Sequence, residues 1–218
     1  MPRFREILVL LIAAAGLVWA PPAFAHPHVF VDAKAEIVFD AEGRIAGVRH
    51  IWQFDEAFTA FATQGPDKNG DGKLDDKELA PLAKVNVESL KEYDFFTYLT
   101  IGKTRQRFVP PTEYWLEFHN ARLTLFFTLP LKTPAAVTGK TTLEVFDAEY
   151  FVAFTFLKNP VKLVGAPAGC TAAYHPPHEL DAKTMAMLAS IPMEQHDLPP
   201  ELADAAAGLA NLISVNCG

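Results

Sequence analysis

The stretch HVFVDAKAEIVFDAEGRIAGVRHIWQF, residues 28–54, decides the fold of this 218-residue chain. Its first half alternates apolar and polar residues, as expected of a strand with one buried face. The apolar positions are Val29, Val31, Ala33, Ala35 and Ile37. Residues Asp40 to Gly43 have the composition of a hairpin turn, and residues 44–54 return as a second strand. An antiparallel β body is therefore predicted to begin here.

Short aromatic and β-branched runs continue the β pattern further along the chain. Strands are predicted within 95–102, 112–120, 122–129, 141–150 and 151–158. Residues His119-Asn120-Ala121 and Asp147-Ala148-Glu149 are predicted hairpin corners. From Gly165 the chain is rich in Pro and Ala, and helices are predicted near 178–189 and 200–213. The predicted fold class is α+β, a single β-rich, antiparallel, sandwich-like domain over residues 26–218 with a helical C-terminal tail at about 165–218.

Between about residues 54 and 93, apolar residues follow helical spacing instead of strand-like alternation. Phe54, Phe58 and Phe61 are spaced as one helix face, and Gly65-Pro66 ends that helix. A longer helix is predicted from about residue 76 to residue 93. Its predicted inward stripe consists of Leu79, Leu82, Val85 and Leu90. The two helices and the loop between them form an EF-hand-like helix-loop-helix inserted into the β body.

The loop DKNGDGKLDDKE, residues 67–78, matches the calcium-binding loop of an EF-hand position by position. The predicted Ca²⁺ ligands are Asp67, Asn69, Asp71, Lys73, Asp75 and Glu78. Lys73 offers only its backbone carbonyl, and Gly72 allows a sharp turn because it lacks a Cβ atom. Sensor proteins usually pair two such loops, and this chain has one, so the predicted role of Ca²⁺ is structural. The alternative is a solvated acidic turn.

Residues 1–25 have the three parts of a cleaved secretory signal. Arg3 and Arg5 precede an apolar run, and Ala23-Phe24-Ala25 forms the cleavage signature. The chain is therefore predicted to be exported, as a soluble protein, to the periplasm. Its formal net charge of −7 argues against nucleic acid and anionic membranes and suits a protein that handles cations. In an oxidising compartment Cys170 and Cys217 are predicted to form a disulfide.

Cleavage after Ala25 would make His26 the amino terminus, with His28 two residues further on. In an extended strand these two side chains lie on the same face. Pro27 has no amide hydrogen to lose, which blocks the chelate that a terminal amine and a third-position His otherwise form. The amine and the two imidazoles remain as ligands for Ni²⁺, Zn²⁺, Co²⁺ or Cu²⁺.

Completing such a transition-metal site requires ligands from elsewhere in the chain. His119 and Asp147, at predicted strand ends, are the predicted additional ligands. Further alternatives are Asp32, His50, His175 and His178. For each of them an ordinary core or surface role is the competing interpretation. The sequence has no nucleophile elbow, phosphate loop, CxxC pair or HExxH helix, so nothing in it favours an enzyme.

Four segments together resemble one known family over essentially the whole mature chain. They are HPHVFVDA after the leader, WQFDEAFTAF, the acidic loop before LAKVNVESLKEYDFFTY, and VFDAEYFVAF. The family is the domain of unknown function 1007 (DUF1007) family, whose members are described as the periplasmic component of an uncharacterised ABC-type transport system. They are often associated with nickel/cobalt-type permeases. The resemblance implies an inner-membrane metal transporter or permease as the partner.

The leading hypothesis is a periplasmic calcium-binding, metal-handling accessory or solute-binding component of a transition-metal transport system, of the nickel, cobalt or zinc type. One alternative is a non-catalytic periplasmic interaction module with a structural Ca²⁺ and no transition-metal role. Another is a copper oxidoreductase that uses the terminal His.

Overall fold

Two five-stranded sheets form the body in a computed structural model, which describes residues 27–71, 73–192, 195 and 198–218. The strands are β1 (Val29–Phe39), β2 (Ile45–Phe54), β3 (Thr97–Ile101), β4 (Thr104–Arg105), β5 (Tyr114–His119), β6 (Arg122–Ala135), β7 (Thr141–Val145), β8 (Val152–Val164), β9 (Cys170–His175) and β10 (Asn211–Cys217). The helices are α1 (Glu56–Ala62), α2 (Asp76–Leu90), α3 (Ala182–Ala189) and α4 (Pro200–Gly208), and a 3₁₀ segment covers Lys91–Phe96. The predicted β-rich architecture is confirmed. The predicted signal peptide and His26 lie outside the described residues.

The first sheet has the strand order β5-β6-β2-β1-β8, and the second has the order β4-β3-β7-β10-β9. All neighbouring strands are antiparallel except β1 and β8, which are parallel. The prediction of a wholly antiparallel body is therefore wrong at this pair. The chain passes from one sheet to the other at Asp147-Ala148-Glu149, because β7 belongs to the second sheet and β8 to the first. The predicted hairpin corner there is instead a crossover between sheets.

The two sheets share one hydrophobic core, as in a sandwich. The predicted inner face of β1 is confirmed, since the residues assigned to it are all buried, namely Val29, Val31, Ala33, Ala35 and Ile37. Trp52 and Phe127 from the first sheet and Leu99, Leu143 and Ile213 from the second belong to the same buried cluster. Burial of these large side chains supplies the main driving force for folding, at about 25 cal/mol per Å² of apolar surface.

The two helices after β2 are both capped by aspartates. Asp55 accepts a hydrogen bond from the backbone N–H of Phe58 at the start of α1 and another from the backbone N–H of Phe30 on β1. Asp75 caps α2 in a reciprocal capping box with Glu78. Such caps satisfy amide groups that have no partner within the helix. Both helices therefore begin close to the predicted positions.

The predicted inward stripe of α2 is wrong at Val85, which is 62% exposed. Leu79, Ala83 and Val87, spaced four residues apart, are the buried residues of this helix. With about 3.6 residues per turn, Val85 lies roughly 120° around the helix axis from Leu79. The helix also ends at residue 90 rather than at 93, because the chain continues as a 3₁₀ segment.

The predicted helical C-terminal tail is only partly correct. Helices α3 and α4 exist, but they lie in the chain between β9 and β10. β10 begins at Asn211, so residues 211–213, predicted as the end of a helix, belong to a strand. β10 is an inner strand between β7 and β9. Cys170 and Cys217 are register partners on β9 and β10, and their predicted disulfide is confirmed. The tail therefore completes the second sheet.

Candidate functional site

The acidic loop, residues 67–78, lies between the end of α1 and the first turn of α2. Glu78 reaches back from α2 over the start of the loop. Its Oε1 atom accepts hydrogen bonds from the backbone N–H groups of Lys68 at 3.0 Å and Asn69 at 3.3 Å. Its Oε2 atom accepts one from the N–H of Asp75 at 3.3 Å. The side chain at position 12 of the loop is thus next to positions 2 and 3, so the loop is closed on itself.

Three further side-chain oxygens accept hydrogen bonds from backbone N–H groups within the loop. The Oδ1 atoms of Asp67, Asn69 and Asp71 each accept a hydrogen bond from a backbone N–H two or three residues ahead, at 2.8 Å. These short-range bonds fix the three side chains at alternate positions on a tight turn. The donor set at positions 1, 3, 5, 9 and 12 consists of carboxylate and amide oxygens, which are the ligands that Ca²⁺ prefers. The residues present therefore fit this cation.

No three His, Cys, Asp or Glu side chains come close enough together to hold a metal ion anywhere in the described ranges. Gly72, the sixth residue of the loop, lies outside those ranges. Two of the predicted donors, Asn69 and the Lys73 carbonyl, are not of these four residue types. Binding of Ca²⁺ to this loop would therefore require its carboxylates to converge further.

His28 and Asp147, two of the predicted transition-metal ligands, both bond to the backbone of Phe151 at one corner of the first sheet. The backbone N–H of His28 donates to the carbonyl of Phe151 at 2.8 Å, and its ring packs against the Phe151 ring with centroids 4.7 Å apart. Asp147 is buried and accepts hydrogen bonds from the backbone N–H groups of Glu149, Phe151 and Val152, each at 2.9 Å. Asp147 therefore anchors the crossover between β7 and β8.

His119 does not join that corner. It lies on the β5–β6 hairpin, its side chain is 76% exposed, and Glu117 is 3.8 Å from its Nε2 atom. Strands β5 and β1 are three positions apart in the sheet, which corresponds to about 14 Å at the usual strand spacing. One metal ion cannot bridge that distance between His28 and His119. His119 and Asn120-Ala121 do form the predicted tight turn, with positive φ at both turn residues.

Three of the remaining candidate ligands have surroundings of their own, and for the fourth, His178, the backbone N–H donates to the carbonyl of Gly208 at 3.1 Å. Asp32 forms an ion pair with Arg122 at 2.7 Å, and the ring of exposed His175 lies 3.0 Å from the hydroxyl of Ser214. His50 is fully buried in the core. Among the predicted transition-metal ligands that the structure describes, His28 and Asp147 thus share a contact residue, Phe151.

A concave site that the sequence analysis missed lies under the end of α2. This aromatic cavity has a volume of about 200 Å³, and its aromatic walls include Trp52, Phe54, Phe58, Phe96, Phe151 and Phe154. Periodicity marks such residues only as core. Their convergence on an open space depends on four separate elements, so the amino-acid pattern contains no direct signal for it.

Within the described part of the chain, no helix has the length and apolar character needed to cross a membrane. A family model described as a protein of unknown function, DUF1007, matches residues 11–217. The chain is also similar to an uncharacterized 15.5 kDa protein in the trpE 3′ region of Spirochaeta aurantia, at 36% identity over 104 residues. That match covers 44% of this chain and 70% of the relative. The chain belongs to the DUF1007 family.

Proposed function

We propose that this chain is a periplasmic, non-catalytic calcium-binding accessory protein of a transition-metal transport system. The observation that carries the calcium part is the closed acidic loop, in which Glu78 folds back over Lys68 and Asn69. The proposed ligands are Asp67, Asn69, Asp71, Asp75, Glu78 and the backbone carbonyl of Lys73. Bound Ca²⁺ would neutralise these carboxylates and hold the start of α2 against the end of α1.

A structural role for Ca²⁺ is favoured because the chain contains a single loop of this pattern. The loop lies next to the first turn of α2, whose Leu79 is packed in the main core at 1% exposure. Ordering the loop would therefore stabilise a helix on which the core depends. Ligand that binds only the native state raises stability, by about 2.7 kcal/mol at a hundredfold excess over Kd.

The decisive experiment compares thermal unfolding in Ca²⁺ and in chelator. We expect wild-type protein to melt several degrees higher in saturating Ca²⁺, and Glu78→Gln to lose this difference. Glu88→Gln is the matched control, because Glu88 lies on the same helix, is exposed, and pairs only with Lys84 at 3.7 Å among the ion pairs of the described residues. Identical melting of wild-type protein in Ca²⁺ and in chelator would contradict the proposal.

The transport part of the proposal is supported by family membership and by charge. The family resemblance described above implies an inner-membrane metal transporter or permease as the partner. The formal net charge of −7 favours encounter with cations and disfavours binding to anionic lipid. Co-purification of the tagged protein with a membrane transporter from its native host, with and without Ca²⁺, tests this part separately.

A second candidate function is direct transition-metal binding at the amino-terminal end of β1. It is supported by the way in which His28 and Asp147 both bond to the backbone of Phe151. His26 and its terminal amine would add ligands after signal cleavage. Titration with Ni²⁺, Zn²⁺, Co²⁺ and Cu²⁺ should give binding that His28→Ala removes and His119→Ala leaves intact. Equal affinity in wild type and His28→Ala would exclude this site and favour the interaction module with Ca²⁺ alone.

A further inference from the structure

The aromatic cavity has the size and the lining of a ligand site. It lies between the inner face of the first sheet, α1, the last turn of α2 and the crossover before β8. Its volume of about 200 Å³ exceeds that of an apolar cavity of about 150 Å³ that holds benzene. A single aromatic ring with a short side chain therefore fits in it.

One side of the cavity, here called its rim, is acidic, because Asp147 and Glu149 lie there beside Tyr93. The other polar lining residues, Asn86 and Ser89, are uncharged. Asp147 and Glu149 are the ionisable carboxylic acids among its lining residues, and no Lys or Arg of the described chain lines it. The pKa of the Tyr93 hydroxyl, also at the cavity, is raised by partial burial and by the negative charges of Glu149, Glu92 and Asp147. An anion would be repelled from this rim, whereas a cation would be attracted to it.

Two features hold this rim in a fixed shape. Asp147 is anchored by three backbone N–H groups. Beside it, Asp94, Phe95 and Phe96 have consecutive φ values of 51°, 54° and 50°, a left-handed turn that costs L-residues roughly 1–2 kcal/mol each. The turn places Phe96 in the cavity wall next to Tyr93. Strained backbone of this kind is concentrated at functional sites.

We propose that the aromatic cavity binds a small organic cation, an aromatic ring with an alkylammonium group. The ring would lie among Trp52, Phe58 and Phe154, where it exchanges water for apolar surface. The ammonium group would lie at the rim, beside the Glu149 carboxylate and the Tyr93 ring, which attracts cations through its π electrons. This proposal does not depend on Ca²⁺ or on a transition metal.

Calorimetric titration with two probes of similar size and opposite charge tests the proposal. The probes are 2-phenylethylamine and phenylacetate, added to the mature chain in Ca²⁺ without any transition metal. We expect the amine to bind at least tenfold more tightly than the acid. Glu149→Gln should weaken amine binding about fivefold or more, and Glu88→Gln, outside the cavity, should leave it unchanged.

A second pair of variants tests whether the ligand occupies the cavity itself. Ser89 is exposed at the cavity mouth, so Ser89→Phe should block entry while the chain still folds. Val85→Phe places the same ring on an exposed position of the same helix away from the cavity and should leave binding unchanged. Absence of amine binding, equal binding of both probes, or full binding in Ser89→Phe would each overturn the proposal.

Discussion

His50 shows how strongly the surroundings of one residue decide its chemistry. Its ring lies between Trp52 and Phe127, with centroids 5.0 and 4.9 Å away. Thr97 donates its hydroxyl hydrogen to the Phe95 carbonyl at 2.7 Å, so its oxygen accepts the hydrogen of the His50 Nε2 atom at 3.1 Å. Burial lowers the pKa of His50 to about 3. His50 is therefore neutral at physiological pH and belongs to the core.

Acid should destabilise the protein through this residue. Between the unfolded pKa of about 6.5 and the folded pKa of about 3, the unfolded chain binds one more proton at His50. The contribution of His50 to the free energy of unfolding is therefore fully present above about pH 6.5. It decreases as the pH falls below this value, by at most about 1.4 kcal/mol per pH unit. In urea unfolding from pH 7 to pH 4.5, His50→Gln should show a shallower decline than wild type. His119→Gln, altered at an exposed ring, should follow wild type; parallel curves for all three proteins would contradict the assignment.

At the scale of elements, α2 connects the two candidate sites. Its N-cap residue Asp75 and its first-turn residue Glu78 belong to the acidic loop, and its last turn carries Ser89 and Leu90 of the aromatic cavity. Between them, Leu79, Ala83 and Val87 bury one face of the helix. The orientation of α2 about its axis therefore fixes both sites.

Two truncations on α2 measure that orientation. Leu79→Ala should lower the free energy of unfolding by about 2–4 kcal/mol, because a fully buried Leu leaves a cavity. Val85→Ala, at 62% exposure, should change it by no more than about 0.5 kcal/mol. Denaturant unfolding of the two variants provides the comparison, and similar losses at both positions would mean that a different face of the helix is buried.

At the scale of the whole molecule, the C-terminal segment closes the sandwich. β10 lies between β7 and β9, and Asn211 at its start donates to the carbonyls of Val145 and Phe154 on two other strands. The disulfide then fixes the end of β10 to β9 across a sequence separation of 47 residues. Loss of this segment would expose the core of the second sheet.

Removal of the disulfide should therefore destabilise the whole domain. The loop-entropy model gives about 4 kcal/mol for a loop of this length, and measured losses are typically 2–4 kcal/mol. The double variant Cys170→Ser, Cys217→Ser should unfold at lower denaturant concentration than the oxidised protein. Reductant should shift wild type to the same midpoint and leave the double variant unchanged. Equal midpoints for oxidised wild type and the double variant would show that the bond contributes little.

The amino-acid sequence by itself determined the features that depend on neighbouring residues. Alternation defines the buried face of β1, the residues from Asp40 to Gly43 define its turn, and aspartates define the starts of α1 and α2. The acidic loop is equally local, since its six predicted donors fall within twelve residues. Steric limits and short-range hydrogen bonds act over a few residues, so they can be read without knowing the rest of the fold.

Only the tertiary structure decided which distant segments meet. The parallel pairing of β1 with β8, the place of β10 within a sheet, the buried face of α2 and the core position of His50 all depend on partners far away in the chain. The same holds for the contact of His28 with Phe151 and for the aromatic cavity. Packing of apolar surface is non-directional, so the composition of one segment does not specify which other segment will cover it.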